Sequence, residues 1–394
     1  MRKISKVTNS RAVKPSTGTF LLYLTMSFIT AIGTANPRHK YPQSGLADFM
    51  VRAMKLPYEE ERKLRAIFKM SGIETRYSVL GDYGKSSGFD FFDNHNGGAL
   101  PTTRKRLDFF REHAVALSKA AIQACLSQRG QPERHSITHL IVVSCTGMYA
   151  PGLDIDLVNQ LELPTSVQRT CINFMGCYAA FNAIKLGHHI CESEQARVLI
   201  ICTELCSLHF QNQISEDNFL ANALFADGAA AMLMESKPKP GYNLSPAGFH
   251  CDLNPTGEQD MTWRVGDFGF EMRLSSYVPD LIKQGIGALT SSLLQRQPLS
   301  GISYFAIHPG GRKILEAIQT ALGISQHDNQ ISYSVLRDFG NMSSPTVIFV
   351  LQRIMNQLQV SDHGKKILSF AFGPGLTLES MILDIENHER SLTP

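Results

Sequence analysis

The chain has 394 residues, 43% of them hydrophobic and 19% charged, with a single Trp: the composition of a globular protein long enough for one large domain or two fused halves, each with its own core. A formal net charge of +3 and the lack of any dense Lys/Arg block argue against a nucleic-acid partner. Eight cysteines, at 125, 145, 171, 177, 191, 202, 206 and 251, form no CxxC pair and no Cys/His metal spacing, so they read as reduced thiols of a cytoplasmic protein.

In chain order, the basic start and the apolar run Phe20 to Ile29 mimic a secretory signal, but Thr25, Ser27 and Thr30 interrupt the run and it is too short to span a bilayer. Residues 28 to 37 read instead as a first strand, with 1–25 a disordered extension and Met26 an alternative start. Residues 46 to 72 carry apolar side chains at helical spacing, with Arg62, Lys63, Arg65 and Lys69 on the polar face. Residues 82 to 103 form a polar, Gly- and Asn-rich loop, and a helix runs from 104 to 127.

The strands at 139–145 and 196–202 are apolar at every position, which places them in a sheet covered by helices on both faces and predicts a layered α/β architecture. Between them, a β-branched run ends in Met175-Gly176 and Cys177 opens a small, apolar helix. A helix N-terminus lowers the pKa of a thiol placed there, so Cys177 is a candidate nucleophile; read alone, it is equally a buried structural cysteine. Residues 223 to 234 lead into another buried strand. The polar, two-proline stretch 236–246 reads as a linker dividing an N-terminal half (26–240) from a C-terminal half (241–394). The plan then repeats: a helix at 276–295, a strand at 303–307 ending in His308-Pro309-Gly310-Gly311, a helix, the Gly340-to-Pro345 loop feeding a helix at 346–358, and strands at 366–372 and 379–384 split by Gly373-Pro374-Gly375.

Cys177, His308 and Asn341 all sit where strands end and helices begin. A histidine held between an apolar strand and a Pro-Gly-Gly turn can stabilise a thiolate or donate to a developing oxyanion. Asn341 is either a partner in that chemistry or a helix N-cap, for which Asn is well suited. The His188-His189 pair suggests no metal site.

The segments Gly176-Cys177, Ile307-His308-Pro309-Gly310-Gly311, Gly340-Asn341-Met342-Ser343-Ser344 and Phe372-Gly373-Pro374-Gly375, with residues 223–230, resemble the type III polyketide synthases, the chalcone-synthase-like family, over about residues 27 to 386. The resemblance implies a thiolase-like, five-layered αβαβα fold made of two similar halves, a homodimer, and acyl-CoA and malonyl-CoA as substrates with neither cofactor nor metal. It makes Cys177 the acyl carrier, and His308 and Asn341 the groups that hold the malonyl thioester as it decarboxylates. It makes Phe225 a gatekeeper, places CoA against Lys63, Arg65, Lys69, Gly310 and Gly311, and lines the cavity with Cys145, Cys206, His209, Trp263, Met272 and Ser343. Cys145, Cys206 and His209 stand where plant members carry Thr, Met272 where they carry a second Phe, and Trp263 where they carry Gly. Residues 261–270 look like bacterial members. An indole in place of a hydrogen removes cavity volume, so the expected starter is aliphatic and the product an alkylpyrone or alkylresorcinol. The alternatives are a single condensation of the ketoacyl carrier-protein synthase III kind, or a non-catalytic subunit of the same fold.

Overall fold

The computed structural model describes residues 26–92, 100–128, 134–275, 277–294 and 302–388; the extension expected over 1–25 lies outside them. Five strands build the first half-sheet, in the order β1 (Phe28–Ala35), β7 (Asp227–Glu235), β6 (Arg197–Leu205), β4 (His139–Ser144) and β5 (Gln168–Asn173). Four more build the second, in the order β11 (Ile302–Ile307), β12 (Lys366–Gly373), β13 (Thr377–His388) and β8 (Gly241–Leu253). Among the described residues, the two are joined by the pairing of Ile29 with Leu244.

Alternation along the strands separates three cores. In β4, Leu140 and Val142 face one side, with α1 (Gln43–Met54), α2 (Tyr58–Met70), α3 (Thr103–Ser127) and α4 (Leu153–Leu161). Ile141 and Val143 face the other side, against α5 (Ala179–Ser193) and α10 (Thr346–Met355). In β12, Ile367 and Ala371 turn toward that same middle layer, whereas Leu368, Phe370 and Phe372 meet α7 (Val278–Leu294) and α8 (Arg312–Leu322). The layers therefore run α, β, α, β, α. Helix α10 buries Val347, Ile348, Phe349, Val350 and Leu351 in succession, as only a helix between two sheets can.

Several elements depart from the sequence expectation. The helix expected over 46–72 is two helices, because Lys55 turns left-handed (φ 51°) to end α1 and Pro57 caps α2. Strand β8 begins at Gly241, inside the stretch read as linker, because its pairing with β13 from Gly241↔His388 onward lies far away in sequence. Helix α6 (Glu216–Leu224), capped by the Ser215 hydroxyl, precedes β7. Strands β2 (His39–Pro42) and β3 (Thr75–Ser78), the hairpin β9 (Met261–Gly266) and β10 (Gly269–Leu274), and helix α9 (Gln330–Phe339) complete the fold. Among the described residues, no helix is long and apolar enough to cross a membrane.

Candidate active site

After β5 the chain reverses through Phe174 and Gly176, both left-handed (φ 61° and 81°). Tyr178 then caps α5, so Cys177 lies in the turn and is not the first helical residue as expected. A Cβ on Gly176 would sit 2.3 Å from Pro374 Cδ, and one on Gly373 2.6 Å from the Tyr178 ring. The nucleophile turn of one half and the Gly-Pro-Gly turn of the other interlock only because both positions are glycine.

Strand β11 delivers His308, whose backbone N–H donates to the Phe370 carbonyl at 2.8 Å. Its side chain is 1% exposed, and neither ring nitrogen has a hydrogen-bond partner among the described residues. Buried polar atoms are seldom left so, and here they face the chamber that holds Cys177. Asn341 follows α9 but does not cap α10, whose N-cap is Pro345. Its backbone instead bridges to the Phe225 segment, accepting from Ala226 N and donating to Leu224 O, each at 2.9 Å. Its Oδ1 accepts from Ser343 N at 2.8 Å and its Nδ2 donates to Gly310 O at 3.2 Å, which fixes the amide; Cys177 Sγ lies 4.0 Å from Oδ1.

Cys177, His308 and Asn341 thus line one chamber, with about 610 Å³ of empty space counted to its open edge. Of the other expected residues, Phe225, Cys145, Cys206, Trp263, Met272, Ser343 and Gly310 line it too. Cys145 also supports the nucleophile turn, its sulfur accepting from Gly176 N at 3.0 Å. The Trp263 indole donates to the Cys145 carbonyl at 2.8 Å.

His209 lines not this chamber but the inner one beyond it. Its Nε2 bonds the Thr146 carbonyl at 2.7 Å, its Nδ1 accepts from Phe270 N at 2.9 Å, and its ring stacks on Phe270 at 4.2 Å. Burial lowers its pKa to about 3, so it is a neutral brace under the β9–β10 hairpin and only borders a second, inner chamber.

The chamber continues in two directions. Toward solvent it shares Leu274, Gly310 and Ile314 with a cleft of about 840 Å³ whose rim carries Gly311, Arg312 and Lys313. Inward, Cys206, Phe225, Trp263 and Met272 separate it from the inner chamber of about 440 Å³. Lys63, Arg65 and Lys69 line neither cleft nor chamber. Lys63 is paired with Glu60, and Arg65 with Glu61 and Asp48, each at 2.7 Å, because the acidic first turn of α2 neutralises its own basic face.

Electrostatically, burial dominates. It pushes the Cys177 thiol up to about 12, against the lowering influence of the Ser343 and Asn341 side chains, and it lowers His308 to about 3. The lowered thiol pKa expected of a helix start is therefore not produced by the surroundings of Cys177 alone. Sequence reasoning missed Glu204, which is fully buried near the end of β6. Its carboxylate accepts from Ser344 Oγ (2.6 Å), Thr146 Oγ1 (2.7 Å) and Cys145 N (2.9 Å), tying the Cys145 loop to the Asn341 loop. An acid following an unbroken apolar strand was the available signal, because a buried charge must be partnered.

Two stacked half-sheets with Cys, His and Asn converging between them define a thiolase-type condensing enzyme. Residues 24–238 match the family described as chalcone and stilbene synthases, N-terminal domain, and residues 250–386 the corresponding C-terminal domain. The chain is 33% identical over 370 residues to the alpha-pyrone synthesis polyketide synthase-like Pks18 of Mycobacterium tuberculosis, covering 92% of each. It is similar in structure to PKS-I of the brown alga Ectocarpus siliculosus (TM-score 0.84, 29% identity, 91% of this chain and 98% of that one). It is also similar to the C-terminal type III polyketide synthase domain of Steely1 from Dictyostelium (TM-score 0.82, 29% identity, 91% and 99%). The chain belongs to the chalcone and stilbene synthase family and is a type III polyketide synthase, an acyltransferase of the condensing type.

Proposed function

We propose that the protein loads an aliphatic acyl group from a CoA thioester onto Cys177, extends it with several malonyl-CoA units and releases an alkylpyrone or alkylresorcinol. The observation that carries this reading is the convergence of Cys177, His308 and Asn341, from three distant segments, on one buried chamber with a cleft to solvent. Cys177 attacks the thioester carbonyl, His308 takes the thiol proton, and that proton leaves with the CoA thiol. Malonyl-CoA then loses carbon dioxide while His308 and the Asn341 amide donate to the enolate oxygen that forms. The enolate carbon attacks the acyl carbonyl, the carbon–sulfur bond breaks, and Cys177 is freed to be reloaded. These steps call for no cofactor.

The relative named for alpha-pyrone synthesis supports the pyrone product, in which an enol oxygen of the finished chain displaces the thiol. The test is a panel of acyl-CoAs of graded length with malonyl-CoA, read by product mass. Products carrying two or more added two-carbon units are expected. Products from malonyl or aromatic starters alone overturn the aliphatic reading, and a single added unit supports a one-step condensing enzyme.

CoA enters by the cleft beside Gly310 and Gly311. Arg312 and Lys313 are better placed for its phosphates than the paired Lys63 and Arg65. Arg312 holds only Glu316, at 2.8 Å across one exposed helical turn, and Lys313 has no ion-pair partner among the described residues. Lys69 lies one residue from the cleft-lining Met70 and, among the described residues, has no ion-pair partner. Arg312→Glu with Lys313→Glu raises KM for acyl-CoA about tenfold, while turnover of the matching N-acetylcysteamine thioester, which lacks the phosphates, is unchanged. Equal losses with both substrates would remove these residues from CoA recognition.

A homodimer fits the exposed outer edge of β5, Gln168 to Asn173, which a second copy would cover. A cytoplasmic setting fits the eight free thiols.

A further inference from the structure

Away from the chambers, the far half of α5 carries His188, His189 and Glu192, whose ligating atoms all lie within 4.8 Å of one another. Glu192 Oε2 is 3.3 Å from His188 Nε2 and 3.7 Å from His189 Nδ1. Ligands around a tetrahedral zinc, with Zn–N and Zn–O near 2.0–2.1 Å, lie about 3.3–3.4 Å apart, so the two separations to Glu192 are near coordination spacing and the third lies within 4.8 Å. Helical geometry explains why Glu192 reaches both histidines, which precede it by four and three residues.

A second feature sits behind the first histidine. The Ser27 hydroxyl, itself buried, is 2.7 Å from His188 Nδ1, and the Phe249 ring packs at 5.4 Å from the imidazole. Together they hold the half-buried ring with Nε2 turned to Glu192. A hydrogen bond to the outer nitrogen of a ligating histidine sets its tautomer and orientation in metal sites generally. His189 and Glu192 are exposed and can close on an ion without disturbing the core.

We propose that His188 Nε2, His189 Nδ1 and a Glu192 carboxylate oxygen form a binding site for a divalent transition-metal ion of the zinc class, with water completing the coordination. Two imidazoles and one carboxylate suit Zn²⁺, Co²⁺ or Ni²⁺ and not Mg²⁺ or Ca²⁺, which prefer all-oxygen shells. The ion pins the last turns of α5, the helix that follows the nucleophile turn, to the segment entering β1. Its role is structural, and the catalytic chamber does not depend on it.

The experiment is titration of the metal-free protein with CoCl₂, followed by absorption, and with ZnCl₂, followed by calorimetry and melting temperature, MgCl₂ serving as control. Expected are one equivalent bound per chain, ligand-field bands in the visible without the thiolate-to-cobalt charge-transfer band that Cys171 or Cys251 would give, and a raised melting temperature with Zn²⁺ but not Mg²⁺. His189→Ala and Glu192→Gln, both at exposed positions, abolish the stoichiometric binding and leave condensation activity unchanged. Ser27→Ala weakens binding about tenfold. A thiolate band, wild-type binding in His189→Ala, or no binding tighter than about 100 μM (roughly −5.5 kcal/mol) overturns the proposal.

Discussion

Replacing His308 by glutamine slows alkylation of Cys177 by iodoacetamide about 100-fold or more at pH 7 and makes the rate climb tenfold per pH unit from 7 to 9. Burial keeps each group uncharged on its own account, the thiol pushed up to about 12 and the imidazole down to about 3. On the proposed mechanism they charge together, because passing the thiol proton to His308 leaves no net charge and sets two opposite charges side by side in an apolar chamber. That mechanism has the wild-type thiolate form within the pair, so its reactivity is expected to change less than about tenfold over that range. Without the imidazole nothing offsets burial. A thiol with its pKa raised to about 12 is ionised to roughly one part in 10⁵ at pH 7, and the thiolate is gained only as pH rises.

Intact mass after timed alkylation gives both rates, and a wild type showing the same tenfold-per-unit slope would sink the paired mechanism. Asn341→Ala separates the second step. It leaves the alkylation rate within a few-fold of wild type but lowers decarboxylation of malonyl-CoA about 10²- to 10³-fold, because the proposed mechanism then lacks one preorganised donor to the enolate oxygen.

What was legible in the sequence follows from how local the cause is. Strand β4 could be read because every one of its residues is buried, and the Gly176 and Gly373 turns because glycine marks them. The meeting of Cys177, His308 and Asn341 was reached through the ordered motifs, since no local pattern brings such distant positions together. The part of the cavity that His209 borders was not legible, for the opposite reason. Its position in the chain puts it next to the chamber, but hydrogen bonds to Thr146 and Phe270 turn both nitrogens away from it. The ion pairs within α2 were readable, since Glu60 and Glu61 precede Lys63 and Arg65 by three and four residues. The β8–β13 ladder was not, because pairing between residues more than a hundred positions apart leaves no periodicity that separates a strand from a polar linker.

Trp263→Gly changes what the enzyme makes more than whether it works. Cys206, Phe225, Trp263 and Met272 form the wall between the catalytic and inner chambers, and Trp263 contributes its largest side chain. The indole is held on edge by its bond to the Cys145 carbonyl and by edge-to-face contacts with His209 and Phe270, both at 5.7 Å. It pairs across the hairpin with Met272, so removing it leaves the backbone ladder in place. The cost is a lost hydrogen bond and lost contacts of a half-buried ring, about 2–3 kcal/mol, which a chain of this size tolerates. In return the inner chamber, about 440 Å³, joins the space around Cys177. A growing chain is released when it no longer fits, so the variant accepts longer acyl starters or adds at least one further malonyl unit, and the product masses shift upward. Trp263→Phe, which keeps most of the wall, leaves the product series near wild type. If Trp263→Gly folds and turns over yet yields the wild-type series, the wall does not set product size.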